Sequence, residues 1–413
     1  MELFFERLAS GGDAVARSGA RSIYAPLGAP GDRAFASVRR SGKRLRAEIE
    51  RVLEPGPGRR EPACELFGVC GGCAWLHLDG RVQLAAKRDF LSRATGVDDV
   101  EVRPSRRELG YRARARLQFR QRRRGAVLGF HRRRSREVID ARRCPILVSA
   151  LAERLGDATR DLLGELDGPA EMLVADGDPA PIAAVALDEA PPASFYDAAR
   201  AAVGESISPG WAGIGVLLDG MALPVAGERR IRVLGGDGQP LWIGAASFGQ
   251  ANPGVNLELA ATASEWLEDG GFCSAIELFS GAGNLTVALA RHAERYTAVE
   301  IDGEAVEAAR ENLPERGLER VHAVAGDALE KYRELGRGAE LVIVDPPRTG
   351  CAQLAGELAG AGHEAILYVS CNHRTLGRDL ALLARGGYRV RRALGFDMFP
   401  QTAYLESLVL LER

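Results

Sequence analysis

The stretch AIELFSGAGNL, residues 275–285, decides how the second half of this 413-residue chain folds. It begins with residues typical of a buried strand, continues through Gly281 and Gly283, and ends where an apolar helical pattern begins. Glycines in such a turn allow the backbone to approach a ligand closely. The stretch therefore predicts a strand at 275–278, a glycine turn and a helix at 285–292, which together form one wall of a binding site.

Strand–turn–helix units repeat from this point onward along the chain. Further short apolar strands are predicted at 296–299, 341–344 and 365–369, each followed by polar residues and a helical pattern. Alternation of this kind predicts a doubly wound parallel sheet, Rossmann-like, over residues 247–413. The glycine turn alone would also fit a dinucleotide fold. No lysine of the Walker type follows it, which argues against phosphoryl transfer.

Acidic residues stand at the ends of three predicted strands, where parallel sheets collect their ligands. Glu300 is placed to hold the hydroxyl pair of a ribose, Asp327 suits the edge of an adenine ring, and Asp345 begins the run Asp-Pro-Pro-Arg. A hydride-transfer enzyme would leave that run without a role. The positively charged sulfonium of S-adenosylmethionine tolerates an acidic cleft better than a pyrophosphate does.

The run Tyr368–Asn372 ends the next predicted strand and contains a lone cysteine, Cys371. A helical pattern begins at His373, so the thiol stands at the turn between a strand and a helix. The start of a helix favours a thiolate over a thiol. A cysteine in this position is nevertheless more often a small buried apolar residue than a nucleophile. The local pattern alone leaves both interpretations open.

Charge is distributed very unevenly along the chain. Residues 1–145 contain 32 Lys and Arg against 17 Asp and Glu, a net charge of +15, whereas residues 146–413 carry −17. An arginine-rich genome explains the choice of Arg over Lys but not this segregation. The amino-terminal third is therefore predicted to bind a polyanion, RNA in particular.

Length and composition are those of an ordinary soluble protein with two or three domains. The chain is 46% hydrophobic and 27% charged, with neither an apolar run of membrane-spanning length nor a basic-then-apolar leader. A monomeric, cytoplasmic protein is expected. The predicted units are a small β-barrel at 1–58, a central α+β domain at 59–246 and the parallel-sheet domain at 247–413.

Four of the seven cysteines lie in the first 145 residues: Cys64, Cys70, Cys73 and Cys144. The two glycines before Cys73 permit a turn that directs neighbouring thiolates at one metal centre. Four thiolates suit either tetrahedral zinc or an iron–sulfur cluster. A fourth ligand so far along the chain is less typical of a compact zinc site. The set predicts a metal centre in the central domain, with zinc as the alternative to iron and sulfur.

Sixteen arginines fall within residues 103–143. Alternation over 113–120 predicts a strand with arginines on one face, 122–125 predicts a turn, and 126–130 predicts the returning strand. Three aromatic residues are interleaved with the arginines: Tyr111, Phe119 and Phe130. The hairpin is therefore predicted to track RNA phosphates and to stack on bases. The following α+β region is predicted to include a helix at 147–166.

Three runs in the last third of the chain resemble one enzyme family closely. They are Asp345-Pro346-Pro347-Arg348-Thr349-Gly350, Tyr368-Val369-Ser370-Cys371-Asn372, and the run DMFPQTAYLE from Asp397 to Glu406. They resemble the RNA uracil-5-methyltransferases, which methylate uracil in transfer and ribosomal RNA with S-adenosylmethionine. Most of residues 1–56 is similar to a TRAM domain, an OB-like RNA-binding barrel. The spacing Cys-x5-Cys-Gly-Gly-Cys, with a later Cys-Pro, resembles the 4Fe–4S site of the same family.

This resemblance implies roles for individual residues. Cys371 matches the nucleophile that adds to carbon 6 of uracil, and Glu406 matches the base that removes the carbon-5 proton. The positions that match the cofactor site or its neighbours are Gln250, Phe279, Asn284, Glu300, Asp327 and Asp345. Three residues depart from the pattern, because Ser280, His373 and Tyr404 stand where cysteine, proline and histidine are common. The layout is most like that of the enzymes acting on 23S ribosomal RNA.

Three other interpretations remain open at this point. A transfer-RNA uracil-5-methyltransferase would share the catalytic motifs. A C5-cytosine methyltransferase also uses thiolate addition, but its nucleophile lies in a Pro-Cys pair after the fourth strand rather than the fifth. A non-catalytic RNA-binding or assembly factor with the same fold would need neither Cys371 nor Glu406.

Overall fold

The structure, a computed structural model, describes residues 1–122, 125–204 and 210–413. Within these ranges the chain forms a closed barrel and sheets of seven, two and eight strands. Arg123 and Arg124, which belong to the predicted turn of the arginine-rich hairpin, lie outside the described residues. No helix in the described ranges is long and apolar enough to cross a membrane.

The chain begins with a five-stranded closed barrel, which confirms the predicted amino-terminal β-barrel. Its strands are β1 (Glu2–Leu8), β2 (Ala14–Ser18), β3 (Arg21–Ala25), β4 (Arg33–Ser41) and β5 (Arg44–Glu54). Alternate side chains point inward, so Phe5 and several alanines fill a narrow interior while charged residues face water. Asp32, fully buried, pairs with Arg59 at 2.6 Å and thereby holds the chain where it leaves the barrel.

The central region is built on a seven-stranded sheet. Its elements are α1 (Gly80–Thr95), β6 (Glu101–Arg103), β7 (Arg114–Arg122), β8 (Gly125–His131), β9 (Val138–Asp140), α2 (Ser149–Glu153), α3 (Asp157–Gly164), β10 (Ala170–Ala175), β11 (Ile182–Leu187), α4 (Ala193–Ala201), β12 (Gly213–Leu218), β13 (Met221–Gly227), β14 (Arg230–Leu234) and β15 (Pro240–Gly244). The sheet order is β13-β12-β11-β10-β7-β8-β9. Helices α2, α3 and α4 cover one face, and the β14–β15 hairpin packs on the edge of the other.

The prediction of a single helix at 147–166 is wrong. Two short helices, α2 and α3, stand in its place, and the chain between them is extended at Gly156. Glycine disfavours a helix interior because it loses the most backbone freedom, and it is tolerated where a new helix begins. The apolar periodicity continues across the break, which is why the sequence pattern did not reveal it.

The last third of the chain forms the eight-stranded sheet. Its elements are α5 (Pro253–Trp266), β16 (Phe272–Leu278), α6 (Thr286–Leu289), a 3-10 turn (Ala290–His292), β17 (Ala293–Glu300), α7 (Gly303–Asn312), a 3-10 turn (Pro314–Arg316), β18 (Val321–Ala325), α8 (Ala328–Lys331), a π turn (Tyr332–Gly336), β19 (Leu341–Val344), α9 (Ala352–Ala361), β20 (Ala365–Ser370), α10 (His373–Arg385), β21 (Arg389–Phe396) and β22 (Glu406–Glu412). The order is β18-β17-β16-β19-β20-β22-β21-β6.

Strands β16 to β20 are parallel, which confirms the predicted doubly wound sheet. Helices cover both of its faces, so the central strands are continuous apolar runs; all four residues of β19 are fully buried. The order of the strands reverses between β16 and β19. A parallel sheet binds its ligands at the carboxyl edge of such a reversal.

One segment of the central range packs on this last sheet. Strand β6 lies parallel to β21, with Glu101 opposite Leu394, and α1 packs against α10. Residues 80–103 therefore extend the sheet, although they precede the expected boundary at residue 247. Those domain boundaries stay a prediction.

Candidate active site

Backbone register brings Glu406 next to Cys371. Six residue pairs join β20 to the antiparallel β22, and the last of them sets Ser370 opposite Ser407. Cys371 follows directly after the end of β20 and Glu406 is the first residue of β22, so the ladder brings the two residues close together at the carboxyl edge of the parallel strands. A shift of register would move every side chain of the ladder to the other face, so this juxtaposition is strongly specified.

Cys371 and Glu406 share an acidic environment. Glu406 is 2% exposed, and burial, followed by the charge of Asp345, raises the pKa of its carboxyl well above the usual value. Burial, followed by Glu406 and Asp345, raises the pKa of the Cys371 thiol to about 12. Arg348 acts in the opposite direction on both groups. The thiol is therefore protonated at neutral pH and needs added positive charge to become a nucleophile.

The loop after β19 is fastened to α10. Asn372 donates from Nδ2 to the carbonyl of Arg348 at 2.8 Å. Asp379, which is fully buried, accepts a hydrogen bond from the backbone N–H of Cys351 at 2.8 Å. These two contacts hold both ends of the loop that begins at Asp345, and they keep its charged side chains close to the thiol.

A cavity of about 230 Å³ lies between the glycine turn and the central sheet. Four of the predicted cofactor residues line it: Gln250, Phe279, Asn284 and Asp345. Phe279 has φ of 68°, a left-handed conformation that is uncommon outside glycine and is concentrated at ligand sites. Asp345 borders both this cavity and the Cys371 thiol.

The other two predicted cofactor residues do not line this cavity. The Glu300 carboxylate, at the end of β17, accepts hydrogen bonds from three backbone N–H groups at 2.7–2.9 Å. The donors are Gly281, Ile301 and Asp302. Asp327 is exposed and accepts from backbone N–H groups in the first turn of α8. Both acids lie at the sheet edge, where each supports a turn.

Two residues beside this cavity were missed by the sequence analysis. Asn256 of α5 exchanges reciprocal amide hydrogen bonds with Asn284, at 2.9 and 2.8 Å. Arg114 of β7 donates to the carbonyls of Ala245 and Ser247, so it supports the segment that forms one wall. Burial lowers the pKa of Arg114 to about 10. A polar residue within the apolar pattern of α5 was the available signal for Asn256, whereas nothing distinguished Arg114 from its neighbouring arginines.

Below the glycine turn, Glu277 is 1% exposed. It accepts hydrogen bonds from the hydroxyls of Thr286 at 2.7 Å and Tyr296 at 2.8 Å. Burial raises the pKa of Glu277 to about 7, although both hydrogen bonds act to lower it. This carboxyl ties the turn to the next helix and strand.

The four clustered cysteines, Cys64, Cys70, Cys73 and Cys144, line a second cavity of about 310 Å³. All four are free thiols. Burial, followed by repulsion from the other three thiols, raises the pKa of Cys73 to about 12. In the described parts of the chain, no three His, Cys, Asp or Glu side chains are grouped to hold a metal ion. The four cysteines border one cavity, and their role as metal ligands stays a prediction.

The polypeptide just after the third cysteine is bound to the segment that leads to Glu406. The backbone N–H groups of Ala74 and Trp75 donate to the carbonyl of Gln401 at 3.0 and 2.9 Å. The side chain of Gln401 accepts from Gln83 of α1 at 2.9 Å. Gln401 therefore connects the segment beside the cysteine cavity to the segment that carries the candidate base Glu406.

The arginine-rich hairpin forms from β7 and β8, but its aromatic residues are not exposed as a group. Tyr111 is 3% exposed and Phe119 is fully buried, so the prediction that they stack on RNA bases is wrong. The reason is the alternation itself, which turns the residues between the arginines of β7 into the core beneath α3. Phe130 is partly exposed and borders the cysteine cavity.

Two arginine-lined depressions lie side by side on the surface and share Arg134. The first, of about 800 Å³, lies between the barrel and the β8–β9 turn; the second, of about 850 Å³, runs along the hairpin to Arg348. Arginines of the first are Arg39, Arg46, Arg59, Arg60, Arg133 and Arg134. Arginines of the second are Arg116, Arg132, Arg134, Arg136 and Arg348. A positively charged path therefore leads from the barrel to the candidate active site.

The chain is similar to known proteins along its whole length. The profile of a family described as tRNA (Uracil-5-)-methyltransferase matches residues 243–413. A Chromohalobacter salexigens protein named 23S rRNA (uracil(1939)-C(5))-methyltransferase RlmD is 35% identical over 100% of this chain and 89% of its own length. Its namesake from Cronobacter sakazakii is 33% identical, over 97% and 94%. The Pyrococcus abyssi tRNA (uracil-54, C5)-methyltransferase, solved with S-adenosyl-L-homocysteine, matches with a TM-score of 0.74 and 25% identity over the whole of both chains.

Proposed function

This chain belongs to the RNA uracil-5-methyltransferase family, and from that premise we propose that it transfers a methyl group from S-adenosylmethionine to carbon 5 of a uridine in ribosomal RNA. The observation that carries the proposal is the strand register that sets Cys371 beside Glu406. Asp345 borders both this pair and the cavity of the glycine turn. A methyl donor bound in that cavity would lie next to a uracil ring held at the Cys371 thiol.

Cys371 makes the unreactive carbon 5 of uracil nucleophilic. The thiol loses its proton to solvent, the thiolate adds to carbon 6 and forms a sulfur–carbon bond, and the electron pair of the ring double bond moves toward the carbonyl at carbon 4. S-adenosylmethionine, when bound, supplies the methyl group that carbon 5 takes and a positive charge that favours the thiolate. Because the target base is stacked in folded RNA, it must leave the stack to reach the thiol.

Glu406 completes the reaction as the general base. After methyl transfer, carbon 5 carries both its proton and the new methyl group. The carboxylate of Glu406 removes that proton, the ring double bond re-forms, and the bond to sulfur breaks to release Cys371 as a thiolate. Since burial raises the pKa of Glu406, its carboxylate is a stronger base than an exposed one.

The cofactor is assigned to the residues around the glycine turn. Gln250, Phe279, Asn284 and Asp345 line the cavity and would contact it directly. Glu300 and Asp327 are assigned to the ribose and the adenine, in keeping with their places at the end of β17 and after β18. Their carboxylates keep free lone pairs beside the backbone hydrogen bonds that they accept.

We also infer that Cys64, Cys70, Cys73 and Cys144 hold a 4Fe–4S cluster. Four free thiols around one cavity fit a group that binds them all as thiolates. The cluster would link the loop at 64–73 to residue 144 and thereby stabilise the central region. Anaerobic purification with iron and zinc analysis tests this; a sample with neither iron nor broad visible absorbance would exclude the cluster, and one zinc per chain would favour the alternative.

RNA is proposed to follow the two arginine-lined depressions, with the barrel acting as an OB-like, TRAM-type RNA-binding unit. Arginine side chains recognise phosphate through charge and paired hydrogen bonds, independent of base sequence. The path ends at Arg348, beside the thiol. A monomeric state and a cytoplasmic location stay predictions.

Ribosomal RNA is preferred as the substrate because the two relatives at 35% and 33% identity bear the names of ribosomal RNA enzymes. Transfer RNA is the second candidate, because the Pyrococcus abyssi enzyme that matches over the whole chain acts on it. The test incubates purified protein and S-adenosylmethionine with unmodified 23S ribosomal RNA and, separately, with unmodified transfer RNA transcripts. Mass spectrometry of the nucleosides then identifies the product.

We expect 5-methyluridine in the ribosomal RNA. The matched control, Cys371→Ala, should lower methylation by at least ~10³-fold while S-adenosylhomocysteine still binds. Methylation of transfer RNA alone would move the substrate to the second candidate. Formation of 5-methylcytidine, or no methyl transfer to either RNA, would overturn the proposal in favour of a cytosine enzyme or a non-catalytic factor.

A further inference from the structure

Arg348 is attached to both segments that carry the candidate catalytic pair. Its backbone carbonyl accepts hydrogen bonds from Asn372 at 2.8 Å and Thr375 at 3.3 Å, which belong to the turn and helix that follow Cys371. Its guanidinium carbon lies 4.5 Å from the ring centroid of Tyr404, two residues before Glu406. One arginine therefore bridges the nucleophile segment and the base segment.

The ring of Tyr404 provides a platform for this guanidinium. Tyr404 is 43% exposed, and its ring is held edge-on by Phe399, with centroids 6.4 Å apart and an interplanar angle of 77°. A guanidinium over an aromatic face is attracted to the ring, and the attraction is stronger when water is excluded. A bound RNA base that covers the pair would exclude water in this way.

The N–H groups of Arg348 remain available to a ligand. In the described ranges, no carbonyl or carboxylate accepts a hydrogen bond from its guanidinium, and the side chain borders both the cysteine cavity and the arginine-lined depression. An arginine paired only through its face, with its N–H edge free, is prepared to bind an oxygen atom that gains charge.

We propose that the guanidinium of Arg348 donates hydrogen bonds to the uracil oxygen at carbon 4, and that Tyr404 is the positioning residue that holds it there. This proposal rests on the function proposed above. When the sulfur–carbon 6 bond forms, the electron pair of the double bond moves onto that oxygen, and donors placed in advance lower the barrier. When carbon 5 takes the methyl group, the pair returns to form the new carbon–carbon bond. Arg348 keeps all its protons throughout.

A tyrosine at position 404 changes the platform that the family resemblance leads one to expect. Histidine is common there, and imidazole becomes positively charged below its ordinary pKa of about 6.5. A positive ring repels a guanidinium, whereas an uncharged phenol ring attracts it. The departure at Tyr404 therefore removes a source of pH dependence from the site.

The test measures kcat for methyl transfer at saturating RNA, together with the rate of covalent adduct formation on RNA that contains 5-fluorouridine at the target. Tyr404→Leu should lower both rates by about 5- to 30-fold, the worth of the lost cation–π contact, while RNA affinity changes less than about threefold. Tyr404→Phe, which keeps the aromatic face, should stay within about twofold of wild type. Tyr404→His should match wild type at pH 8.5 and lose more activity than wild type below about pH 6.5.

Arg348 is tested by a matched pair of substitutions. Arg348→Lys keeps the charge but not the planar fork, and we expect kcat to fall by about 10²-fold. Arg392→Lys is the control, because Arg392 also lies over an aromatic ring, Trp266 at 6.0 Å, but on β21 outside the site; it should leave kcat unchanged. Wild-type kcat in Tyr404→Leu or in Arg348→Lys would overturn the inference. A wild-type protein that methylates no RNA would instead overturn the proposed function, so the two failures are distinct.

Discussion

The protein holds its cysteines in two differently built regions. At the sheet edge, Cys371 is placed by the hydrogen-bonded register between β20 and β22, and a loop fastened to α10 brings Arg348 beside it. In the cysteine cavity, the thiols stand outside regular elements and act mainly on one another, so that mutual repulsion adds to burial in raising the pKa of Cys73. The first region is held by backbone hydrogen bonds, whereas in the second the thiols line a shared cavity.

This contrast predicts which substitutions should affect catalysis and which should affect stability. The sheet edge is preorganised without a ligand, so changes there should alter chemistry more than stability. The proposed 4Fe–4S cluster would complete the cysteine cavity, so changes there should alter stability first. Gln401 joins the two regions through its hydrogen bonds to Ala74 and Gln83, and it is the route by which one could affect the other.

The largest effect is expected at the base. Glu406→Gln should lower turnover by about 10²- to 10⁴-fold, because the carbon-5 proton is no longer removed. RNA should then remain bonded to Cys371 through sulfur, visible as a slowly migrating band on a denaturing gel that is absent when Cys371 is replaced by Ala. Glu412→Gln, an exposed change at the other end of β22, should behave as wild type. Loss of turnover with no trapped RNA would contradict the assignment of Glu406 as the general base. It would also weaken the distinction between the sheet edge and the cysteine cavity.

The next effect concerns the buried carboxyl below the glycine turn. The pKa of Glu277 is about 7 in the folded protein and near 4.5 in the unfolded chain. The contribution of Glu277 to the free energy of unfolding is therefore complete below about pH 4.5 and decreases as the pH rises to 7. The loss amounts to at most about 3 kcal/mol. Glu277→Gln should remove this decrease in urea titrations of the ligand-free protein. The exposed change Glu330→Gln should leave the pH dependence as in wild type; an unaltered slope in Glu277→Gln would show that Glu277 is not its source.

The cysteine cavity gives the third effect. Cys70→Ser should remove the cluster, measured as lost iron, and lower the thermal unfolding midpoint by about 5 °C or more. Binding of S-adenosylhomocysteine, measured by calorimetry, should change less than about twofold. Cys273→Ser, at an exposed cysteine outside both regions, is the control. A large loss of cofactor affinity in Cys70→Ser would show that the two regions are not separable.

The smallest effect is expected on the arginine path that serves both regions. Arg136→Gln should weaken RNA binding by about three- to fivefold and reduce the slope of log affinity against log salt by about 1. Fluorescence anisotropy between about 50 and 200 mM salt measures both quantities. Arg385→Gln, an exposed change at the end of α10, should alter neither. Equal slopes for the two variants would remove the path from the proposal.

Local pattern was sufficient for several features. The apolar run of β19 and the glycine turn after β16 predicted a parallel sheet, since strands buried on both faces must be continuously apolar. The motif that contains Cys371 was placed correctly at a strand-to-helix turn. Four of the six cofactor positions implied by resemblance line one cavity.

Tertiary contacts decided the rest. The sequence analysis assigned both Tyr111 and Arg114 to a basic RNA-binding segment. In the structure Tyr111 is buried, and Arg114 supports a wall of the cavity at the glycine turn. The pairing of β6 with β21, and the contact of Gln401 with the cysteine segment, join residues hundreds of positions apart. Periodicity reports which face of a single element is buried, whereas these arrangements depend on which distant element covers that face. The sequence by itself therefore determined which residues are the candidates for the reaction, and only the fold decided what surrounds them.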